Sequence, residues 1–321
     1  MQQGPILVIK HGALGDIVQA FDAFAAVRRF HRDAEIVLMT APAFAPLLGA
    51  APWFDRLWLD PRPSPLNLRA WLAIRQRFLA ERFTLVYDLQ GTARTARYLR
   101  LIPRARRPEW AGDAPLASHR HTYTPGSGIA GRELAARRVQ AGGVPPFPPG
   151  SAGLGWLDAD VAGFALPGRF ALLIPGCSPH LPHKRWPAAS YGALANALAS
   201  DGIESVIAGT AADRDAIAGV REAAPAARDL GGRTSLLQLG AIARRAAIAI
   251  GNDTGATFLA AALGTPTLML MSRHTDPAFS APSGNRSAWL KRDDLAGLSV
   301  AEVAGKVGDL LDDRGPYIAR D

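Results

Sequence analysis

The turn Gly251-Asn252-Asp253-Thr254-Gly255 gathers the residue types that a phosphate site needs. A short apolar run at 248–250 leads into it, and small or apolar residues at helical spacing follow over 254–263 until Gly264 and Pro266 stop them. The pattern predicts a strand, a tight turn, a helix and a further strand over 267–271. Such a helix N-terminus offers unpaired amides and the positive end of the helix dipole, and Thr254, Gly255 and Ala256 are small enough to admit a phosphate. Asp253 would repel one. Its carboxylate suits either capping of the helix or acceptance of hydrogen bonds from ligand hydroxyls, and this stretch alone does not choose between them.

Three other turns carry groups of the same kind. Asp16 closes the sequence HGALGD at 11–16, between an apolar strand over 6–10 and an amphipathic helix running to about residue 30. The spacing is not the dinucleotide fingerprint, but it places a carboxylate at the C-terminal edge of a strand, where doubly wound sheets bind ligands. Asp16 can act there as a base or simply cap the helix, and Gly12 and Gly15 favour close approach to the backbone. Asp88-Leu89-Gln90-Gly91 ends another strand on the same edge, followed by arginines at 94, 97, 100, 104, 106 and 107. Arg94 and Arg97 share a helical face beside that edge and suit an anionic substrate; the others read as solvated surface. In the second half, the loop PGCSPHLPHKRWP at 175–187 supplies the Ser178 hydroxyl and the Lys184 point charge, both suited to phosphate oxygens. Trp186 can pack that loop down, and Pro187 opens a helix. Gly209 lies in one more strand-end turn, AGTAAD at 208–213. Cys177 reads as a small buried residue, because neither a CxxC pair nor a nucleophile triad accompanies it. His119, His121, His180 and His183 lack the cysteines or carboxylates that would complete a metal shell, so no metal is expected.

The elements that position these groups alternate. Strands at 35–39, 56–59 and 85–88 interleave with helices at 44–48, 66–81 and 92–101. A second set has strands at 170–174 and 203–208 and helices at 188–200, 211–223 and 235–244. Such alternation predicts an α/β chain with parallel sheets covered by helices on both faces. The stretch GGVPPFPPGSAGLG at 142–155 can continue neither a helix nor a central strand and reads as a linker. Two doubly wound, Rossmann-like domains facing a central cleft are therefore expected, at 1–150 and 151–300, with an amphipathic helix over 300–311 in a terminal segment, 301–321. No period of 20–50 residues repeats, which excludes a solenoid.

Composition fits that reading. With 321 residues and 48% hydrophobic content, the chain can bury two cores. A single cysteine excludes a disulfide framework, and the first apolar run is too short for a signal peptide or membrane span, which points to the cytoplasm. The formal charge of +8 favours anionic partners: phosphorylated small molecules, acidic lipid surfaces or nucleic acid. The arginine run lacks interleaved aromatics, so nucleic acid is not expected.

The motifs IKHGALGD, VYDLQG at 86–91, KRWP at 184–187, AGTAADRD at 208–215, GNDTGATFLAAALGTP at 251–266 and Thr275-Asp276-Pro277, in this order, resemble glycosyltransferase family 9, the lipopolysaccharide heptosyltransferases. The resemblance spans most of the chain. It implies a GT-B fold and inverting transfer of a sugar from a nucleotide-diphosphate donor, typically ADP-heptose, to an anionic glycolipid acceptor. By position it makes Asp16 the general base and Lys184 the donor-phosphate lysine. Ser178 becomes a phosphate-binding hydroxyl, and Asp253, Thr254 and Gly255 the donor turn, with Gly209 added on the donor side. Gly12, Gln90, Arg94 and Arg97 fall to the acceptor side. A diphosphate leaving group stabilised by Lys184 and a helix dipole requires no Mg²⁺, so the donor is expected as a substrate and no tightly bound cofactor is assigned. The resemblance further implies a monomer in peripheral contact with the inner membrane, whose last helix crosses back onto the first domain. Three positions depart from the family pattern: Phe258 where a histidine is usual, His11 in place of a small hydroxyl residue, and Asp22 where proline is common. A module that binds a nucleotide sugar or glycolipid without turnover would keep the same fold and phosphate site, and a transferase with a different donor is the other alternative.

Overall fold

A computed structural model of the chain describes residues 4–124, 126–178, 180–284 and 286–312. It divides into two compact units, Met1–Trp156 and Leu157–Asp321.

The first unit holds strands β1 (Ile6–Ile9), β2 (Ile36–Thr40), β3 (Arg56–Leu59), β4 (Leu85–Asp88), β5 (Glu109–Gly112) and β6 (His119–Arg120), and helices α1 (Leu14–Gln19), α2 (Phe21–Phe30), α3 (Ala45–Gly49), α4 (Leu68–Glu81), α5 (Ala93–Leu101) and α6 (Gly131–Ala141). All pairings are parallel, in the order β3-β2-β1-β4-β5-β6. Parallel central strands are covered on both faces, which is why β1 is a continuous apolar run, β2 is apolar up to Thr40, and both are fully buried. One face of the sheet packs on Trp71, Ile74 and Phe78 of α4 and on Tyr98 and Leu99 of α5. The helix expected to run from Asp16 to residue 30 is interrupted at Ala20, whose amide bonds back to the Ile17 carbonyl at 3.0 Å and closes α1 before α2 begins.

The second unit holds β7 (Phe170–Ile174), β8 (Glu204–Ile207), β9 (Arg228–Asp229), β10 (Ile248–Asn252), β11 (Thr267–Met271) and β12 (Ser287–Lys291), with α7 (Ala188–Ser200), α8 (Arg214–Ala223), α9 (Leu236–Arg245), α10 (Gly255–Ala262), α11 (Pro277–Ser280) and α12 (Val300–Leu311). Its parallel order, β12-β11-β10-β7-β8-β9, repeats that of the first unit. In both, the winding reverses between the first and fourth strands: β1 beside β4, and β7 beside β10. Loops leaving the C-terminal ends of such a pair splay apart and leave a crevice for ligands.

The Pro- and Gly-rich stretch before residue 156 is fastened to the first unit. Asp22 accepts from the Gly150 and Ala152 amides at 2.8 and 2.9 Å, Arg29 donates to the Ser151 carbonyl at 2.9 Å, and Trp156 packs edge-on against Trp53. The terminal helix α12 buries Val303, Val307 and Leu310 in the core of the second unit, against α7 and β10–β12, so its apolar face is occupied there. The chain after Asp312 lies outside the described residues.

Candidate functional site

In the second unit the groups singled out from sequence gather at the β7/β10 switch point. Asn252, the last residue of β10, is fully buried and acts as a staple. Its side-chain oxygen accepts from the Trp186 amide at 3.0 Å and the Tyr191 hydroxyl at 3.2 Å, and its amide nitrogen donates to the Pro175 carbonyl at 2.8 Å. One side chain thus ties the end of β10 to both ends of the 175–187 loop. The Trp186 indole donates to the Leu298 carbonyl at 2.9 Å, locking the loop from its far side.

Thr254, in extended conformation, is the N-cap of α10, so Asp253 does not cap that helix. The Asp253 carboxylate instead accepts from Lys184 Nζ at 2.7 Å and from the Thr275 hydroxyl at 2.8 Å, on the same oxygen. Lys184 therefore carries its charge up to the α10 N-terminus on a fixed partner, and an ammonium has three donors, of which Asp253 takes one. The first amides of α10, Gly255 and Ala256, have no carbonyl one turn earlier to bond. Gly251 gives this turn its closeness, because a Cβ there would fall 2.8 Å from that of Ile174. Two histidines and Arg273 lie near the lysine. The rings of His183 and His274 lie 4.0 Å apart, and desolvation followed by the positive charges of His183, Arg273 and Lys184 holds the His274 imidazole below its ordinary value. Ser178 is exposed on the same loop. Cys177 is buried, its thiol donating to the Leu181 carbonyl at 3.0 Å, and burial pushes its pKa up. Gly209 packs against Asp213, which accepts from the Thr210 amide and hydroxyl at 2.9 and 2.8 Å; a Cβ on Gly209 would meet that of Asp213 at 3.2 Å. Phe258, on the inner face of α10, is buried at 6% exposure and serves as core.

In the first unit the β1/β4 switch point holds a second constellation. Asp16 is the third residue of α1, and its carboxylate accepts from the Ala13 amide at 3.2 Å while remaining partly exposed. Gly12 has φ +132°, and a Cβ there would lie 2.5 Å from the Phe44 ring, so only glycine fits. Gln90 reaches over from the end of β4 and accepts from the His11 amide at 2.8 Å, fixing the turn that carries Asp16. Arg94 donates to the Pro63 carbonyl at 2.9 Å, whereas Arg97 is exposed.

Lys10, Asp60 and Arg138 were not picked out from sequence. Lys10 is 8% exposed, with Nζ 3.3 Å from the Leu89 carbonyl. Burial lowers its pKa, while the Asp16 and Asp88 carboxylates pull the other way. His11 places Nε2 2.8 Å from Asp60, a buried carboxylate that also accepts from the Tyr98 hydroxyl at 2.5 Å and the Arg62 amide at 2.8 Å. Burial alone would raise the Asp60 pKa; hydrogen bonds to His11, Tyr98 and the Arg62 amide outweigh it and hold the carboxyl low. Arg138 of α6 is 5% exposed, donating to the Leu89 carbonyl at 2.8 Å and pairing with Asp113. The only hint in the sequence was position: Lys10 ends the first apolar run and Asp60 directly follows a strand. Among the described residues, no three His, Cys, Asp or Glu side chains come together in a way that would hold a metal ion.

Such a pair of switch points offers a carboxylate on one unit and, on the other, a cation with free helix amides. A family model for glycosyltransferase family 9 (heptosyltransferase) matches residues 71–296. Lipopolysaccharide heptosyltransferase 1 of Pseudomonas aeruginosa is 29% identical over 307 residues, covering 90% of this chain and 84% of that protein. Among solved structures, E. coli ADP-heptose lps heptosyltransferase II matches with a TM-score of 0.75 at 21% identity, over 97% of this chain and 99% of that one. E. coli heptosyltransferase WaaC with ADP-2-deoxy-2-fluoro heptose matches with a TM-score of 0.74 at 18% identity, over 95% and 99%.

Proposed function

Since the chain belongs to glycosyltransferase family 9 and has its GT-B α/β fold, we propose that this glycosyltransferase moves heptose from ADP-heptose to the core of a lipopolysaccharide acceptor, with inversion at the anomeric carbon. The observation that carries this reading is the Lys184–Asp253 pair at the α10 N-terminus, at the switch point of its sheet. A diphosphate there accepts from the Gly255 and Ala256 amides and from the donors of Lys184 that Asp253 leaves free. Asp253 and Thr275 then act as positioning groups for the lysine. Ser178, exposed on the same loop, is assigned to the phosphates, and the Gly209 turn to the donor side.

The acceptor hydroxyl attacks the anomeric carbon as the bond to the diphosphate breaks. Asp16 takes the hydroxyl proton, and the electron pair leaves on ADP, where Lys184 and the helix amides stabilise the growing charge. Gly12 and Gln90 shape the acceptor side of the base, and Arg94 and Arg97 attract an anionic glycolipid. The enzyme works as a monomer at the cytoplasmic face of the inner membrane.

Calorimetry with ADP-, GDP-, UDP- and CMP-sugars tests the donor site. ADP-heptose should bind in preference to the others, and Lys184→Ala should weaken binding roughly 10- to 150-fold, the scale of a hydrogen bond to a charged group at about 1.5–3 kcal/mol. Unweakened binding by Lys184→Ala would misplace the phosphate site, and preference for another nucleotide would replace the donor.

A further inference from the structure

We propose that the segment leading into α4, together with the arginine face of α5, is a docking surface for an anionic lipid bilayer. Leu66, Leu68 and Leu72 are 90%, 71% and 55% exposed. Folding gains nothing from large apolar side chains held in water, and here three occur within seven residues. Their placement is fixed. Asn67 caps α4 by accepting from the Ala70 amide at 3.1 Å, so Leu68 and Leu72 stand one turn apart on one face while Trp71, Ile74 and Phe78 occupy the core.

Arginines lie exposed on the same helix as Leu68 and Leu72 and on α5 beside it. Arg69 is exposed on the first turn of α4, and Arg100 and Arg104 are exposed on and just after α5. The two helices run side by side: Arg94, in the first turn of α5, donates to the Pro63 carbonyl at 2.9 Å, and Arg75 of α4 donates to the Leu101 carbonyl at 3.1 Å where α5 ends. Residues 61–107 contain eleven arginines and two acids. Neither acid competes for the surface, because Glu81 is paired with Arg56 and Arg77, and Asp88 is fully buried.

Exposed leucines flanked by arginines match the headgroup boundary of a membrane, where the aliphatic chains enter the acyl region and the guanidinium groups meet lipid phosphates. A second copy of this chain would bring the same positive charge against itself, which disfavours a two-fold contact on this face. Among the described residues no helix is long and apolar enough to cross a membrane. The surface lies by the edge that matters, since the 60–67 loop leaves the C-terminal end of β3 just as the Asp16 turn leaves that of β1. Docking would thus set the acceptor side of the proposed enzyme against the bilayer that holds a lipid-linked acceptor. It rests on the proposed function for that last step alone.

Co-sedimentation of the full chain with phosphatidylcholine vesicles, with and without about one-quarter phosphatidylglycerol, tests this without any turnover. The protein should bind the anionic vesicles, release from them in high salt, and ignore pure phosphatidylcholine. The triple variant Leu66→Ser/Leu68→Ser/Leu72→Ser, and separately Arg69→Gln/Arg100→Gln/Arg104→Gln, should each lower partitioning at least about 10-fold, with the melting curve and ADP affinity unchanged. Failure of the natural chain to bind anionic vesicles would overturn the proposal. So would undiminished binding by the leucine variant, or a shift from dimer to monomer in that variant, which would make the surface a protein contact. ADP affinity, measured on the same samples, reports separately on the donor site, so failure of either reading is visible without the other.

Discussion

His274 is where the charge around Lys184 can be read out. It faces His183 at 4.0 Å, with Arg273 and Lys184 as positive neighbours and Asp253, paired to Lys184, as the nearby carboxylate; Asp276 caps the following helix, α11. In the free protein the desolvated, electropositive setting lowers its pKa. A diphosphate bound at the proposed site should reverse the sign of the field and raise it. The ligand then favours the protonated imidazole, so the His274 contribution to binding grows as pH falls through the imidazole range and is lost above the raised, bound-state pKa. Calorimetry of ADP binding in two buffers of different ionisation heat should show more proton uptake by the natural chain than by His274→Ala. Equal uptake would mean that the two imidazoles stand clear of the phosphates.

At the scale of elements, α12 yields the sharpest expectation. Val303, Val307 and Leu310 are all at or below 5% exposure in the second unit's core. Burial of such side chains is worth about 1.5–3 kcal/mol each, and a domain's whole stability is only about 5–15 kcal/mol. Deleting the chain from Ser299 should therefore lower the melting temperature sharply or leave the second unit unfolded. A truncated protein with an unchanged melting curve would contradict this packing. The same elements show what a sequence can and cannot disclose. Strands β3, β4, β7 and β11 and helices α7 and α12 were legible to the residue, because continuous apolar runs and helical spacing are local signals. Strands β6 and β9, of two residues each, and β12 carry no such pattern. Helix α6 escaped because its inner face holds Arg138, buried on Asp113 and the Leu89 carbonyl, which breaks the apolar stripe. For the site, Asp253 was legible as a turn residue, but its partners Lys184 and Thr275 are 69 and 22 residues distant in sequence. The two roles open to it from sequence did not include a lysine partner. His11 and Asp22 departed from the family pattern and have plain roles here: one lies against Asp60, the other holds residues 150 and 152.

For the whole molecule, two sheets of identical strand order give two switch points with opposite chemistry. The first offers the carboxylate of Asp16 and the second the cation of Lys184 with the amides of α10. Inverting glycosyl transfer needs both kinds of group, a base for the acceptor proton and positive charge for the departing diphosphate, and the net charge of +8 suits anionic donor and acceptor alike. Asp16 is the residue proposed as that base. Its carboxylate also accepts from the Ala13 amide, and the side-chain oxygen of asparagine can do the same, so Asp16→Asn separates chemistry from fold. The decisive measurement is heptose transfer from ADP-heptose by the natural chain and by Asp16→Asn, with ADP affinity and melting temperature taken on the same preparations. Affinity and melting should be unchanged while turnover falls by roughly 10²- to 10⁴-fold, the usual worth of a general base. Undiminished turnover in Asp16→Asn would leave Asp16 a helix residue only and contradict the mechanism.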